Sequence, residues 1–292
     1  MALARKIKIN RSSCQGGMRL TALSFATLMS YSPDSIRDAL ATCGALRVAN
    51  CPSEESAQNL VEHMHWISSR LDRDDSLPYA ATTLRYEAGN MRKRPSYKLF
   101  LCTQPAPDSD EIVLVDGRVV AALSNQISKS VTRRLCMGVT YERTLPFEDD
   151  PSSLIGTSWR NTFQCNTTAD VETALQRSEL QWAWRPNASL WVRSQTMPAF
   201  AMMGNERIFS NSILSVSRTW NDARNCGVDC VRFSDGESIP VDFVAELYEA
   251  AWKTRYECRM QAMELLVVDN SRTMHAYKSF KDDQGVLTAL VS

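Results

Sequence analysis

The chain has 292 residues, enough to bury a sizeable hydrophobic core, and β-barrel folds of this length often form one domain. Its 33 basic residues balance 33 acidic ones, so the composition gives no electrostatic indication of binding to nucleic acid or to an anionic membrane. No apolar run approaches the ~20 residues that a membrane span requires.

The cysteines and the N-terminal segment bear on where the chain resides. Nine cysteines occur without regular spacing, and their odd number predicts reduced thiols in a cytoplasmic protein. Cys226 and Cys230 lack the second pair that a zinc site would need, so we interpret them as loop thiols. Residues 18–30 resemble a signal peptide only faintly, because polar residues interrupt them. We therefore expect residues 1–33 to form an N-terminal arm and residues 34–292 to form one domain.

Two helices and a strand are predicted in the next segment. Ser32 and Pro33 are typical of a helix start, and Gly44 marks its end. Residues 45–48 alternate as a strand does, and residues 54–71 carry apolar side chains at helical spacing.

Two of the three histidines, His63 and His65, lie on the second predicted helix. Because they are two residues apart, they point to different sides and cannot both bind one metal ion. We interpret them as surface or core histidines.

The segment from residue 84 to 107 combines an acidic strand end, a basic loop and a buried strand. The first strand ends near Glu87, and residues 97–102 form the second. The loop between them contains Arg92, Lys93 and Arg94. This loop either meets a carboxylate or the phosphopantetheine of a carrier protein, or is a solvated run of charges.

Further strands and helices follow in the middle of the chain. Strands are predicted at 112–115, 189–193 and 197–201, and helices at 119–123, 170–178 and 241–255. Six tryptophans of this part of the chain either line an aromatic ligand site or pack in the core. These are Trp159, Trp182, Trp184, Trp191, Trp220 and Trp252.

The C-terminal stretch reads as a β-meander with one imidazole on its middle strand. Residues 265–268 form an apolar strand, and the pair Asp269 and Asn270 ends it with a turn. A second short strand carries His275, and a third begins at Val286. A lone histidine on a strand is more often structural than functional.

The order of these features resembles the taurine dioxygenase-like family of iron(II)/2-oxoglutarate oxygenases, which have a clavaminate synthase-like fold. In that family a His-x-Asp or His-x-Glu pair precedes a proline-containing loop and a Gln-Pro-Ala turn. Here these positions hold Arg85-Tyr86-Glu87 and Gln104-Pro105-Ala106. The Asp-Asn turn before His275 and the segment Gly156–Gln164 also match. The resemblance implies an α+β, mostly β fold: a double-stranded β-helix (jelly-roll) core with flanking helices.

The chain departs from the family at two positions. Arg85 replaces a ligand histidine, and a guanidinium has no lone pair and repels a divalent cation. The family also places an arginine roughly ten to fifteen residues after the last histidine, where it binds 2-oxoglutarate bidentately. Residues 285–292 contain no basic residue, and Lys278 comes too early. Glu87 and His275 are then vestigial candidates for metal ligands.

Three functions remain open. The first is a metal-independent tailoring enzyme of natural-product biosynthesis that performs a cyclisation, elimination or isomerisation, with Arg85, Glu87 and His275 as catalytic residues and no cofactor. The second is a non-catalytic binding or scaffold protein whose paired charges fill an obsolete cavity. The third is an unconventional non-haem iron dioxygenase that uses iron(II) and 2-oxoglutarate. We expect a small-molecule substrate, free or bound to a carrier protein, and neither nucleic acid nor a membrane as a partner.

Overall fold

The computed structural model describes residues 20, 22–64, 72–73, 81–91, 94–105, 111–278 and 285–292. By their internal contacts the residues divide into two units, of which the first comprises 1–120 and 251–292 and the second 121–250. The division expected from the sequence, an arm up to residue 33 and one domain after it, stays a prediction.

The helices and strands up to residue 127 are β1 (Ala22–Ser24), α1 (Phe25–Met29), α2 (Pro33–Cys43), β2 (Ala45–Ala49), α3 (Glu54–His63), β3 (Asp72–Arg73), β4 (Tyr97–Gln104), β5 (Glu111–Asp116) and α4 (Gly117–Ile127). Those that follow are α5 (Lys129–Leu135), β6 (Val139–Leu145), α6 (Trp159–Phe163), α7 (Thr168–Arg177), β7 (Gln181–Trp184), β8 (Leu190–Arg193), β9 (Phe200–Met203), β10 (Glu206–Phe209), α8 (Ile213–Thr219), β11 (Val231–Phe233) and α9 (Val241–Lys253). The chain then returns to the first unit with β12 (Tyr256–Arg259), β13 (Glu264–Asp269), β14 (Thr273–Tyr277) and β15 (Gly285–Val291).

The first unit contains a six-stranded sheet in the order β1-β2-β13-β4-β15-β3 and a three-stranded sheet in the order β12-β5-β14. The strands from β13 to β15 are those predicted from the sequence, but the predicted meander is wrong, because β14 pairs with β5 in the other sheet. Both edges of β13 are already occupied, by β2 and by β4. The chain therefore crosses between the sheets, as it does in a double-stranded β-helix.

The six-stranded sheet is buried on both faces, and its side chains alternate between two cores. Leu265 and Val267 pack with apolar residues of α1, α2 and α3 on one face. Leu266 and Val268 pack on the other face, together with Phe100, against residues of the three-stranded sheet. This period of two is what a strand between two layers requires.

Local signals account for the helix ends. Ser32 caps α2, and Gly44 ends that helix in the left-handed conformation with φ of 81°. The second predicted helix is shorter than the expected 54–71, because α3 ends at His63. The Arg37 guanidinium donates to the carbonyl oxygen of Met64 at 2.7 Å and so satisfies an acceptor at the end of the helix. His65 lies outside the described residues.

The second unit contains a four-stranded antiparallel sheet in the order β11-β6-β8-β7 and a hairpin of β9 and β10. Its apolar cluster includes Trp159 and Leu175, which come from α6 and α7. The predicted strand at 189–193 corresponds to β8, and the predicted helix at 170–178 corresponds to α7. The strand expected at 197–201 begins later, because β9 starts at Phe200 and Met197 makes only an isolated bridge with Val139.

Two further findings concern the described part of the chain. None of its helices is both long and apolar enough to cross a membrane. The eight cysteines that it contains form no disulfide with one another.

Candidate functional site

The site lies in the first unit, where Arg85 pairs with the middle residue of β14. The backbone N–H of Arg85 donates to the carbonyl oxygen of His275 at 3.0 Å, and the N–H of His275 donates back at 2.9 Å. This short antiparallel bridge covers the edge of β14 that β5 leaves open. The bridge brings Glu87, two residues beyond Arg85, to the imidazole.

One carboxylate oxygen, Glu87 Oε1, is the centre of the site. Lys98 Nζ lies 2.6 Å from it, His275 Nε2 lies 2.9 Å from it, and Arg85 Nε lies 3.5 Å from it. The three residues predicted from the sequence are therefore together, and Lys98 joins them. Their assignment as catalytic residues stays a prediction.

Lys98 is the site residue that sequence reasoning missed. It lies on β4, and its side chain is only 4 % exposed. The strand pattern could have indicated this residue, because side chains 98, 100 and 102 lie on the same face of a strand that is otherwise mostly apolar. A lysine in register with Phe100 and Cys102, both buried, faces the core and needs a partner there.

Asn270 holds the loop that carries Glu87. Its side-chain amide donates to the carbonyl oxygens of Glu87 at 3.0 Å and Pro95 at 2.8 Å, and its Oδ1 accepts from the backbone N–H of Glu87 at 2.8 Å. The side chain is fully buried. The Asp-Asn turn recognised in the sequence thus fixes the loop between Glu87 and β4.

The charges of the cluster set its protonation states. Burial alone would raise the pKa of Glu87, but the Lys98 ammonium, the hydrogen bond from His275 and the Arg85 guanidinium together hold it well below its usual range. Burial lowers the pKa of His275 to about 4, although the hydrogen bond to Glu87 opposes this shift. At neutral pH the cluster therefore contains a carboxylate and a neutral imidazole.

The neutral imidazole has one defined tautomer. A carboxylate only accepts hydrogen bonds, so Nε2 of His275 carries the proton and donates it to Glu87. Nδ1 is then an acceptor, and it is buried with no hydrogen-bond partner among the described residues. The ring of Phe100 packs edge-on against the imidazole at 5.5 Å between centroids and lies under Lys98 Nζ at 5.1 Å.

The other residues that the sequence singled out lie elsewhere or outside the description. Lys278 pairs with Glu111 at 2.6 Å and Glu257 at 3.1 Å. His63 contacts the carbonyl oxygen of Tyr31. Of the basic loop, Arg92 and Lys93 fall outside the described residues. Within the described part, no three His, Cys, Asp or Glu side chains are grouped so that they could hold a metal ion.

We compared the chain with known protein families and with curated proteins. No protein-family model matches the chain. A clavaminate synthase-like protein from Arabidopsis thaliana is 26% identical over 223 residues, which are 74% of this chain and 67% of that protein.

Solved structures agree with the fold over nearly the whole chain. AAD-2 in complex with Mn(II) and N-oxalylglycine superposes with a TM-score of 0.58 at 10% identity and covers 98% of this chain and 95% of its own. An asparagine oxygenase in complex with Fe(II), 3-hydroxyasparagine and succinate gives 0.54 at 14% identity, with 90% and 78% covered. PvcB from Pseudomonas aeruginosa gives 0.52 at 10% identity, with 94% and 86% covered. The chain therefore has the double-stranded β-helix fold of iron(II)/2-oxoglutarate oxygenases, and the fold that the resemblance to the taurine dioxygenase-like family implies is confirmed.

Proposed function

We propose that the chain is a metal-independent tailoring enzyme built on this oxygenase fold, and that it performs a cyclisation, elimination or isomerisation on a small biosynthetic intermediate. The observation that carries the proposal is the position of Lys98 Nζ, 2.6 Å from the carboxylate oxygen that His275 also contacts. An ammonium group then takes the place of a metal cation beside the family's acidic ligand.

The residues present do not fit iron(II). A non-haem iron site needs two histidines and one carboxylate with lone pairs directed at the metal. Here Nε2 of His275 is a hydrogen-bond donor to Glu87, and position 85 supplies a guanidinium. Iron would have to displace two cationic groups to reach Oε1 of Glu87, which Coulomb repulsion opposes.

The residues also do not fit 2-oxoglutarate as a cosubstrate. The family's anchoring arginine would fall on β15, where no residue from 285 to 292 is basic. Lys278 is paired with two carboxylates, which makes it a poor substitute.

The cluster is better suited to stabilise a negative charge than to move a proton. Among the four described residues of the cluster, Arg85 and Lys98 are cationic, Glu87 is anionic and His275 is neutral. The pKa values of Glu87 and His275 are both shifted away from neutrality, which disfavours either group as a general base at pH 7. We infer that the cluster binds a carboxylate or carbonyl oxygen and stabilises the enolate or oxyanion that develops there.

A binding or scaffold protein is the second candidate, and the burial of the cluster favours it. His275 is 1 % exposed, Lys98 4 % and Glu87 18 %. Charges that satisfy one another in a closed site are also what a relic of a lost metal centre would leave. A carrier protein as the source of the substrate, and a cytoplasmic location, stay predictions.

The metal content of the purified chain tests the proposal. The parent chain and the double variant Arg85→His with Lys98→Leu would be incubated anaerobically with iron(II) and 2-oxoglutarate, and iron would be measured by elemental analysis. We expect no stoichiometric iron in the parent. We expect at least about tenfold tighter iron binding in the double variant, because it offers two histidines and Glu87 without the adjacent ammonium.

Two outcomes would contradict the proposal and favour an iron(II)/2-oxoglutarate oxygenase. They are stoichiometric iron in the parent chain and consumption of 2-oxoglutarate by the parent chain. A matched variant, Lys129→Leu on the exposed surface, controls for the loss of one positive charge. If the parent remains free of iron, substrate searches should use chelator and exclude oxygen. Activity that survives chelator and is lost in Lys98→Met separates the enzyme from the scaffold.

A further inference from the structure

The second unit contains a cavity of about 460 Å³ that has no part in the proposed reaction. Its volume falls within the usual range for small-molecule sites, roughly 300–1,000 Å³. Three aromatic residues, Phe147, Trp159 and Trp184, contribute to its wall. The indoles of Trp159 and Trp184 meet edge to face, with centroids 5.4 Å apart and planes at 79°.

The indole donors of the aromatic wall are already engaged within the chain. The indole N–H of Trp159 donates to the carbonyl oxygen of Ala188 at 3.0 Å. That of Trp184 donates to Oε1 of Glu172 at 2.7 Å. With both indole donors engaged, the aromatic wall offers a ligand apolar contact, which favours an aromatic ring.

Arg160 is the cationic group of the cavity. Its guanidinium carbon lies 4.1 Å from the ring centre of Phe147 and 5.4 Å from that of Trp159. Its Nε is buried and has no hydrogen-bond partner among the described residues. No carboxylate of the described part lies within ion-pair distance of it, whereas Arg224 in the same unit pairs with Asp150 and Asp222.

We propose that this cavity binds a planar aromatic monocarboxylate. The ring packs against the aromatic wall, and the guanidinium of Arg160 binds the carboxylate bidentately through its fork of N–H donors. Glu172 lines the same cavity and repels a second negative charge, so the ligand carries one. The guanidinium of Arg160 belongs to the cavity lining and has no carboxylate partner in the described part of the chain, so a bound carboxylate supplies the opposite charge.

Calorimetric titration with a matched pair of probes tests the inference. The probes are 2-naphthoate and its neutral isostere 2-naphthamide, with cyclohexanecarboxylate as a non-aromatic carboxylate. We expect the naphthoate to bind the full chain at least about tenfold more tightly than either of the others. In Arg160→Gln the affinity for naphthoate should fall about tenfold, and the affinity for naphthamide should stay within about twofold.

Two variants keep the test decisive. Arg177→Gln removes an exposed arginine of α7 and should leave both affinities unchanged. Trp184→Leu should weaken both aromatic probes, and thermal unfolding verifies that each variant is folded. Equal affinities for naphthoate and naphthamide, an unchanged affinity in Arg160→Gln, or no naphthoate binding by the folded parent would each overturn the assignment.

Discussion

At Glu87, a single oxygen atom lies within 3.5 Å of an ammonium, an imidazole and a guanidinium. These groups act on one another because burial removes the water that would screen them. Each protonation state in the cluster is therefore a property of the whole cluster. Because of this coupling, the role of each residue in the cluster can be tested by measuring the free energy of unfolding as well as the activity.

The stability of the fold should fall on acidification, beginning near pH 6.5. Between pH 6.5 and about 4 the unfolded chain protonates this histidine and the folded chain does not, because the pKa of buried His275 is lowered to about 4. The unfolded state then binds more protons, and the free energy of unfolding decreases by about 3 kcal/mol over this interval. Below it Glu87 acts in the same direction, since its pKa in the fold is also lowered.

Urea unfolding at a series of pH values measures this slope. His275→Gln should remove most of this pH dependence. His63→Gln is the control, because it removes a different imidazole and should leave the pH dependence unchanged. A free energy of unfolding that stays constant or rises between pH 6.5 and 4.5 would contradict the protonation states assigned to the cluster.

Replacing Lys98 by methionine should destabilise the fold by about 2–3 kcal/mol, because it leaves the Glu87 carboxylate with less compensating charge. Methionine keeps the apolar part of the side chain on β4 and removes the charge. Lys129→Met at an exposed position should change stability by no more than about 0.5 kcal/mol. Chemical denaturation measures both.

A double-mutant cycle with Glu87→Gln isolates the coupling between the two charges. If Lys98→Met were as stable as the parent chain, Lys98 would not be the cation that balances Glu87.

At the scale of elements, the site depends on the hydrogen bonds that hold the loop between Glu87 and β4. Asn270 makes three hydrogen bonds with the backbone of Glu87 and Pro95, and its side chain is fully buried. Asn270→Ala should cost about 3 kcal/mol, because it leaves buried backbone groups without partners. Asn205→Ala in an exposed turn is the matched control and should be nearly neutral.

Amide hydrogen exchange at Glu87 gives a second readout for this variant. Its backbone N–H donates to Asn270 Oδ1, so its protection should be lost in Asn270→Ala and kept in the control. Protection that persists in Asn270→Ala would show that another group holds the loop.

Elements with local signals could be predicted from the sequence. Ser32 and Gly44 define α2 because a cap satisfies groups of its own helix, so neighbouring residues suffice. The position of β14 could not be predicted in the same way. Its strand character is local, but its sheet depends on which edges β2, β4 and β5 leave open.

The candidate site shows the same division. Arg85, Glu87 and His275 follow from the order of motifs along the chain, and the structure brings them together. Lys98 follows only from the register of β4, because its importance comes from the face it shares with Phe100. The partners of Arg160 depend on contacts among α6, α7 and β7, which no sequence spacing encodes.

At the scale of the whole molecule, the pairing of strands is dominated by distant partners. Leu46 on β2 pairs with Val267 on β13, and Leu101 on β4 pairs with Leu287 on β15. Sheets of this kind fold slowly, because long loops must close before their contacts form. Refolding after dilution from urea should take seconds or longer, as followed by tryptophan fluorescence, and complete recovery within a few milliseconds would contradict this.

The position of β13 between β2 and β4 also has a consequence during translation. About 160 residues separate the end of β4 from the start of β13, which corresponds to roughly 8 to 30 seconds at the usual speed of a ribosome. For that time the nascent chain carries two apolar strands whose common partner does not yet exist. Unpaired apolar strands tend to pair with other chains, so we expect the yield of this protein to depend on chaperones that act at the ribosome exit.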